Sequence, residues 1–256
     1  MQAYLIHPGY LPVRMQLLGE FGVYHSRAPV RVRQCGQRLL AFLGLSHRPV
    51  TRSRIAGTLW PDSPATQAAA SLRATLSRLP RPGGLSLTIS HDAQLALNDH
   101  VEVDVWVCEE QIRRLRASSV EGYPEAAEPQ PEDGVNTLLN SDLLPLWEQD
   151  WVLVERERHR QARLHALEKL SICLRRAGRH EEALDAALTA VASEPLRESA
   201  HRRVIEVHLA EGNPAEALRQ YAIYRRVLQE ELGLSPSEKI RQLLRSALGP
   251  SEQLPS

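Results

Sequence analysis

"ATQAAASLRATLSRLPR" occupies residues 65–81, and its reading decides the fold. At 100° per residue, Ala65, Ala68, Ala69, Leu72, Leu76 and Leu79 fall on one helical face. Thr66, Gln67, Ala70, Ser71, Arg73, Ala74, Ser77 and Arg78 fall on the other. Ahead of the helix, Ser63-Pro64 predicts a start, with serine at the N-cap and proline at the first helical position. Pro80 predicts the stop. No acid lies between Pro64 and Arg81, so nothing on the polar face repels phosphate. Its small side chains would let the backbone approach base edges in a major groove while Gln67 and Arg73 reach them.

Upstream, residues 15–33, "MQLLGEFGVYHSRAPVRVR", alternate apolar and polar residues and predict two or three short antiparallel strands. Residues 34–46, "QCGQRLLAFLGLS", predict a buried helix carrying Leu39, Leu40, Phe42, Leu43 and Leu45. "VTRSRIAGTLWPDSP" predicts a short second helix with Ile55, Leu59 and Trp60 turned inward. Downstream, "LSLTISHDAQLALN" predicts a β-hairpin with a polar tip at Ser90 to Ala93. Strands, three helices and a hairpin in that order describe a winged helix-turn-helix with an N-terminal sheet.

Charge supports this placement. Residues 28–81 hold nine arginines (Arg31, Arg33, Arg38, Arg48, Arg52, Arg54, Arg73, Arg78 and Arg81) against one acid, Asp62, in a chain of zero formal net charge. A basic module is therefore joined to an acidic remainder. Lys169 and Lys239 are the only lysines, so the missing acids carry more information than the arginines do. Arg48, Arg52 and Arg54 at the start of the second helix, Arg78 and Arg81 at the end of the third, and His91 in the hairpin tip are candidates for phosphate or minor-groove contact.

From "VDVWVCEEQIRRLRAS" a helix leads onward, and residues 118–134 form an acidic, proline-rich linker or loop. A long amphipathic helix containing Trp147, Trp151, Val154, Leu170 and Cys173 then ends near Gly178. Beyond it, "AGRHEEALDAAL" at 177–188 and "EGNPAEALRQYA" at 211–222 repeat at 34 residues, the tetratricopeptide period. In the second copy Asn213-Pro214 repeats the logic of an N-cap followed by proline. The fold class is thus an α+β winged helix-turn-helix domain followed by an all-α tetratricopeptide-like repeat domain.

Other chemistries find little support. Cys35, Cys108 and Cys173 lie far apart with no CxxC pair, and read as small buried residues in a reduced, cytoplasmic protein. No histidine pair has the i, i+4 spacing that places two ligands side by side. Nucleophile-elbow, phosphate-loop, zinc-protease and dinucleotide motifs are missing, so neither an enzyme nor a cofactor or metal site is expected. No apolar stretch approaches the roughly 18 residues that would suggest a membrane span.

"LLAFLGLSHRPVTRSRIAGTLWPD", "ASLRATLSRL", "VEVDVW", "LLPLWEQDWVLVERERHRQ" and, most specifically, "EPLRE" and "ALRQYAIYRRVLQEELGLSPS" together resemble the Streptomyces antibiotic regulatory protein type of transcription activator. The resemblance runs from Met15 to about Leu248. It implies an OmpR-like winged helix over 15–106 and a bacterial transcriptional activation domain over 107–248, with residues 1–14 as a leader, Met15 as a candidate natural start and 249–256 as a tail. It further implies a regulator that binds direct repeats in double-stranded promoter DNA, contacts RNA polymerase and controls a biosynthetic gene cluster, with homodimerisation open. Ser71, Arg73, Ser77 and Arg78 fall where that family's recognition helix faces DNA. The chain departs from the family in reading "SRLPR", where Pro80 replaces a basic residue. The alternative reading is a protein-interaction adaptor whose winged helix does not bind DNA.

Overall fold

A computed structural model describes residues 13–117, 139 and 141–248. They fall into two compact units, the first holding 13–110 with Ser141–His159, the second 111–117, 139 and 160–248. The acidic segment 118–134 and the tail 249–256 lie outside the described residues.

In the first unit, β1 (Val13–Gln16), β2 (Gly22–His25) and β3 (Ala28–Pro29) form an antiparallel meander, as the alternation predicts. The strand opens at Val13, so it takes in the last two residues read as a leader. β7 (Val101–Val103) lies parallel to β1 on its other side, which completes the sheet order β3-β2-β1-β7. Inward-facing Val13, Met15, Val101 and Val103 are buried, following the period of two. Past the end of β1, residues 142–144 add a further layer of pairing. Leu18 bridges Leu143, Gly19 N–H donates to Asp142 O, and Leu144 N–H donates to Leu17 O.

Helix α1 (Gln34–Ser46) has the predicted bounds and buries Leu39, Leu40, Phe42 and Leu43. Leu45 is half-buried and Cys35 is exposed, contrary to its reading as a buried residue, because the inner side of that first turn belongs to Gly36. Helix α2 (Arg52–Leu59) is capped by Thr51, whose hydroxyl accepts the Arg54 N–H. Its last carbonyl, that of Leu59, takes a 2.7 Å bond from Arg38. Helix α3 (Ala65–Ser77) starts one residue later than expected: Pro64, not Ser63, occupies the N-cap, with no side-chain cap. It also ends before Leu79, since the residue preceding Pro80 is disfavoured in helical conformation. Ala68, Leu72 and Thr75 are its buried residues; Ala65, in the first turn, is exposed rather than part of the apolar face.

β5 (Thr88–His91) and β6 (Gln94–Leu97) form the hairpin, with Asp92 at a φ of 50° in the turn. The turn is tighter than predicted, since Ser90 and His91 belong to β5. β4 (Val50–Thr51) pairs with β6 to give a second sheet of order β4-β6-β5. Helix α4 (Asp104–Ala117) follows β7 directly.

Trp147 lies outside the long helix, correcting its expected place: α5 runs over Asp150–Arg176. It is held in the preceding turn, where Arg156 donates to the carbonyls of Leu143, Leu144 and Trp147. Phe21, Trp147, Trp151 and Phe42 then form a chain of ring contacts 5.3–6.3 Å apart.

In the second unit, α6 (His180–Ser193), α7 (Glu198–Ala210), α8 (Pro214–Leu232) and α9 (Glu238–Leu248) pack in sequence. The 34-residue repeat is visible in its details. Gly178 and Gly212 have φ of 75° and 76° at equivalent turns, Ala183 and Ala217 are fully buried, and Leu184 and Leu218 are half-buried. Asn213 occupies the N-cap of α8 with Pro214 behind it, but its side chain makes no cap bond and turns instead to Glu211. His201 is an interior polar residue, packed on the Tyr224 ring and bonded to Pro195 O and Gln220.

Candidate nucleic-acid interface

The helix-turn-helix is α2, the Trp60–Pro64 turn and α3. On α3 the residues Thr66, Ala70, Arg73 and Ser77 are all exposed at spacings of four, three and four, which is one continuous stripe. Gln67 and Arg78, also exposed, flank it. Ser71 and Ala74 are half-buried, because that side of α3 faces the start of α1 across a hollow of about 390 Å³ lined also by Val32, Arg33, Cys35 and Trp60. The predicted polar face is therefore divided: an open stripe, and a shoulder at Ser71 and Ala74.

The arginines around this stripe differ in what holds them. Arg48, Arg54, Arg73, Arg78 and Arg81 are exposed, and none forms an ion pair among the described residues. Arg52 is half-buried, its guanidinium donating to Ser90 Oγ at 2.9 Å. A second bond, from Arg52 N–H to Ala93 O, fastens the start of α2 to the hairpin, and His91 is exposed on β5 beside it. Arg38, counted in the basic balance, is spent on the Leu59 carbonyl and belongs to the scaffold.

Sequence reasoning missed the Ser90 hydroxyl that orients Arg52, and Arg33 at the α3 hollow. Neither has a local signal, since Arg52 and Ser90 are 38 residues apart. Among the described residues, no group of three or more His, Cys, Asp or Glu is placed to hold a metal ion. No described helix is long and apolar enough to cross a membrane.

A helix-turn-helix with a hairpin wing, accompanied by a tetratricopeptide-like helical unit, defines a winged-helix regulator. The chain belongs to the bacterial transcriptional activator domain family, which matches residues 103–248. That family is one of transcriptional regulators rather than of enzymes, and the chain is of the Streptomyces antibiotic regulatory protein type in its arrangement. It is 27% identical over 226 residues to the regulatory protein AfsR of Streptomyces griseus, covering 84% of this chain and 22% of that protein. AfsR of Streptomyces coelicolor is 27% identical over 242 residues, covering 90% and 24% respectively. The chain therefore spans less than a quarter of the length of these relatives. Among solved structures, Mycobacterium tuberculosis EmbR, determined in complex with a low-affinity phosphopeptide, shares the fold with a TM-score of 0.68 at 18% identity, over 93% of this chain and 65% of that one.

Proposed function

We propose that the protein is a sequence-specific DNA-binding activator that reads promoter direct repeats through α3 and recruits RNA polymerase, controlling a biosynthetic gene cluster. The observation that carries this reading is the exposed Thr66–Ala70–Arg73–Ser77 stripe, bordered by unpaired arginines and free of acids from Pro64 to Arg81. Small residues at 66, 70 and 77 admit the helix to a major groove, and Arg73 and Gln67 supply donors for guanine and adenine edges. Arg48, Arg54, Arg78 and Arg81 supply phosphate contacts that set register, with Arg52 braced on the wing and His91 directed to the neighbouring backbone. Ser71 and Ala74 form the half-buried shoulder of the same face.

The helical repeats provide the surface for the polymerase and for self-association, in keeping with the extended surfaces such arrays present. Winged helix over 15–106 and activation domain over 107–248 is the division of labour this reading requires. The test is selection from a random duplex pool followed by hydroxyl-radical footprinting. The reading expects a recovered motif in direct repeat with protected backbone on each half-site. Recovery of no motif would favour the adaptor reading instead.

A further inference from the structure

In the second unit, three guanidinium groups share one carboxylate. Arg203 Nη1 donates to Glu206 Oε2 at 2.6 Å. Arg175 Nη2 lies 3.7 Å from that oxygen, and Arg202 Nε lies 3.9 Å from Glu206 Oε1, both beyond hydrogen-bond reach. Arg175 comes from the end of α5 and the other three residues from one face of α7. The side chains are only 15–27% exposed.

The neighbouring charges do not cancel the excess. Arg197 Nε and Ser199 Oγ both donate to Glu168 Oε1, at 2.5 and 2.7 Å, so that pair balances itself. Among the described residues, Arg175, Arg202 and Arg203 against Glu206 leave two uncompensated positive charges in a half-buried place. Moreover, the Nε groups of Arg202 and Arg203 are buried without an acceptor. Buried donors and cations of this kind are costly unless something anionic completes them. Burial accordingly pulls the Arg203 proton affinity down; Glu206 opposes this, Arg202 adds to it, Glu168 opposes it and Arg175 adds to it.

We infer that Arg175, Arg202 and Arg203 form a binding site for a phosphoryl dianion. The charge match selects the class: two surplus positive charges suit a terminal phosphoryl group, which carries nearly two negative charges at neutral pH. A carboxylate or a phosphodiester carries one. Guanidinium forks also offer several parallel donors to a tetrahedral oxyanion, which suits arginine here better than lysine. The site is built wholly from residues of the second unit and stands whether or not the proposed DNA reading holds.

The test is calorimetric titration of the full chain with inorganic phosphate, phenyl phosphate, dimethyl phosphate and acetate at pH 7.5 and matched ionic strength. Saturable binding of inorganic phosphate, with none of acetate or dimethyl phosphate, is expected. Phenyl phosphate binding as well assigns the site to a phosphate monoester; its exclusion assigns it to the free ion. R202Q and R175Q should each weaken binding about tenfold or more, as loss of one charge-assisted hydrogen bond does. E206Q should tighten it, since the competing carboxylate is gone, a result that a merely structural cluster would not give. Absence of saturable binding, equal binding of acetate or dimethyl phosphate, or weaker binding by E206Q would overturn the assignment.

Discussion

The carboxylate of Asp104 accepts the main-chain N–H of Leu17 at Oδ1 and of Leu18 at Oδ2, each at 2.9 Å. One side chain at the start of α4 thereby satisfies two donors just past β1, while Leu17 O and the Leu18 bridge are engaged by residues 143 and 144. Burial raises the Asp104 pKa above the ordinary carboxylate value, against the lowering effect of the bonds from Leu18, Leu17 and Val105. Because the folded value lies above the unfolded one, the native chain binds more protons in the window between them, and stability contributed by this group falls as pH rises through that window.

Asp104→Asn therefore makes a two-part prediction. The variant loses about 1–3 kcal/mol near neutral pH, because an amide NH2 is turned toward a main-chain donor. The gap between parent and variant in thermal midpoint should widen on acidification through the window. A gap that narrows there would contradict the burial-driven shift.

Arg156 closes the turn that seats Trp147 by donating to three carbonyls. Arg156→Met keeps much of the stem but leaves those acceptors without their donor, and should cost about 2–4 kcal/mol in denaturant unfolding. Tryptophan emission should change as well, since Trp147 stacks on Phe21 and meets Trp151 edge to face. Unchanged stability and emission would show the clamp to be idle.

His201 is held neutral by its surroundings: burial lowers its pKa, against smaller raising effects from the Pro195 carbonyl and Glu198. Gln220 donates to Nδ1, so Nε2–H is the donor to Pro195 O. A histidine pKa depressed by folding gives stability that is present above the unfolded value of 6.5 and is lost as pH falls toward the folded one. The parent should lose thermal stability as pH falls below the unfolded value of 6.5 more steeply than His201→Gln, which does not titrate. Parallel pH profiles for the two would refute the assignment.

For the proposed DNA-reading surface, Arg78→Ala should weaken binding across all duplexes and flatten the salt slope by about one ion. Gln67→Ala should instead relax base preference at one position by about 1–3 kcal/mol. Filter binding on a panel of single-base operator variants separates these outcomes. If both variants bind like the parent, a different helix meets DNA.

Much of this architecture is legible locally. Helix α1 follows from its leucine spacing and the repeat from Gly178, Gly212, Ala183 and Ala217, because each signal lies within one turn or one period. The errors share a cause. β7 is three residues long and pairs with β1 across 88 residues, and the 142–144 segment reaches 17–19 from more than 120 residues away, so neither has a local pattern. Trp147 reads as helical from its apolar spacing, yet Pro145 and the Arg156 clamp hold it in a turn. On the candidate site, the helical spacing of Thr66, Ala70, Arg73 and Ser77 along α3 makes their shared exposure legible; the half-burial of Ser71 and Ala74 depends on how α1 packs and cannot be read from α3 alone.

The most direct measurement is titration of the full chain onto duplex from its own upstream region, against a scrambled duplex of equal composition, at 50 and 200 mM salt. If the α3 stripe reads a major groove between phosphate-binding arginines, the upstream duplex binds about tenfold or more tighter, and both affinities fall steeply with salt. Equal affinity for the two duplexes with no salt dependence would make that stripe an ordinary solvated surface and contradict the central claim.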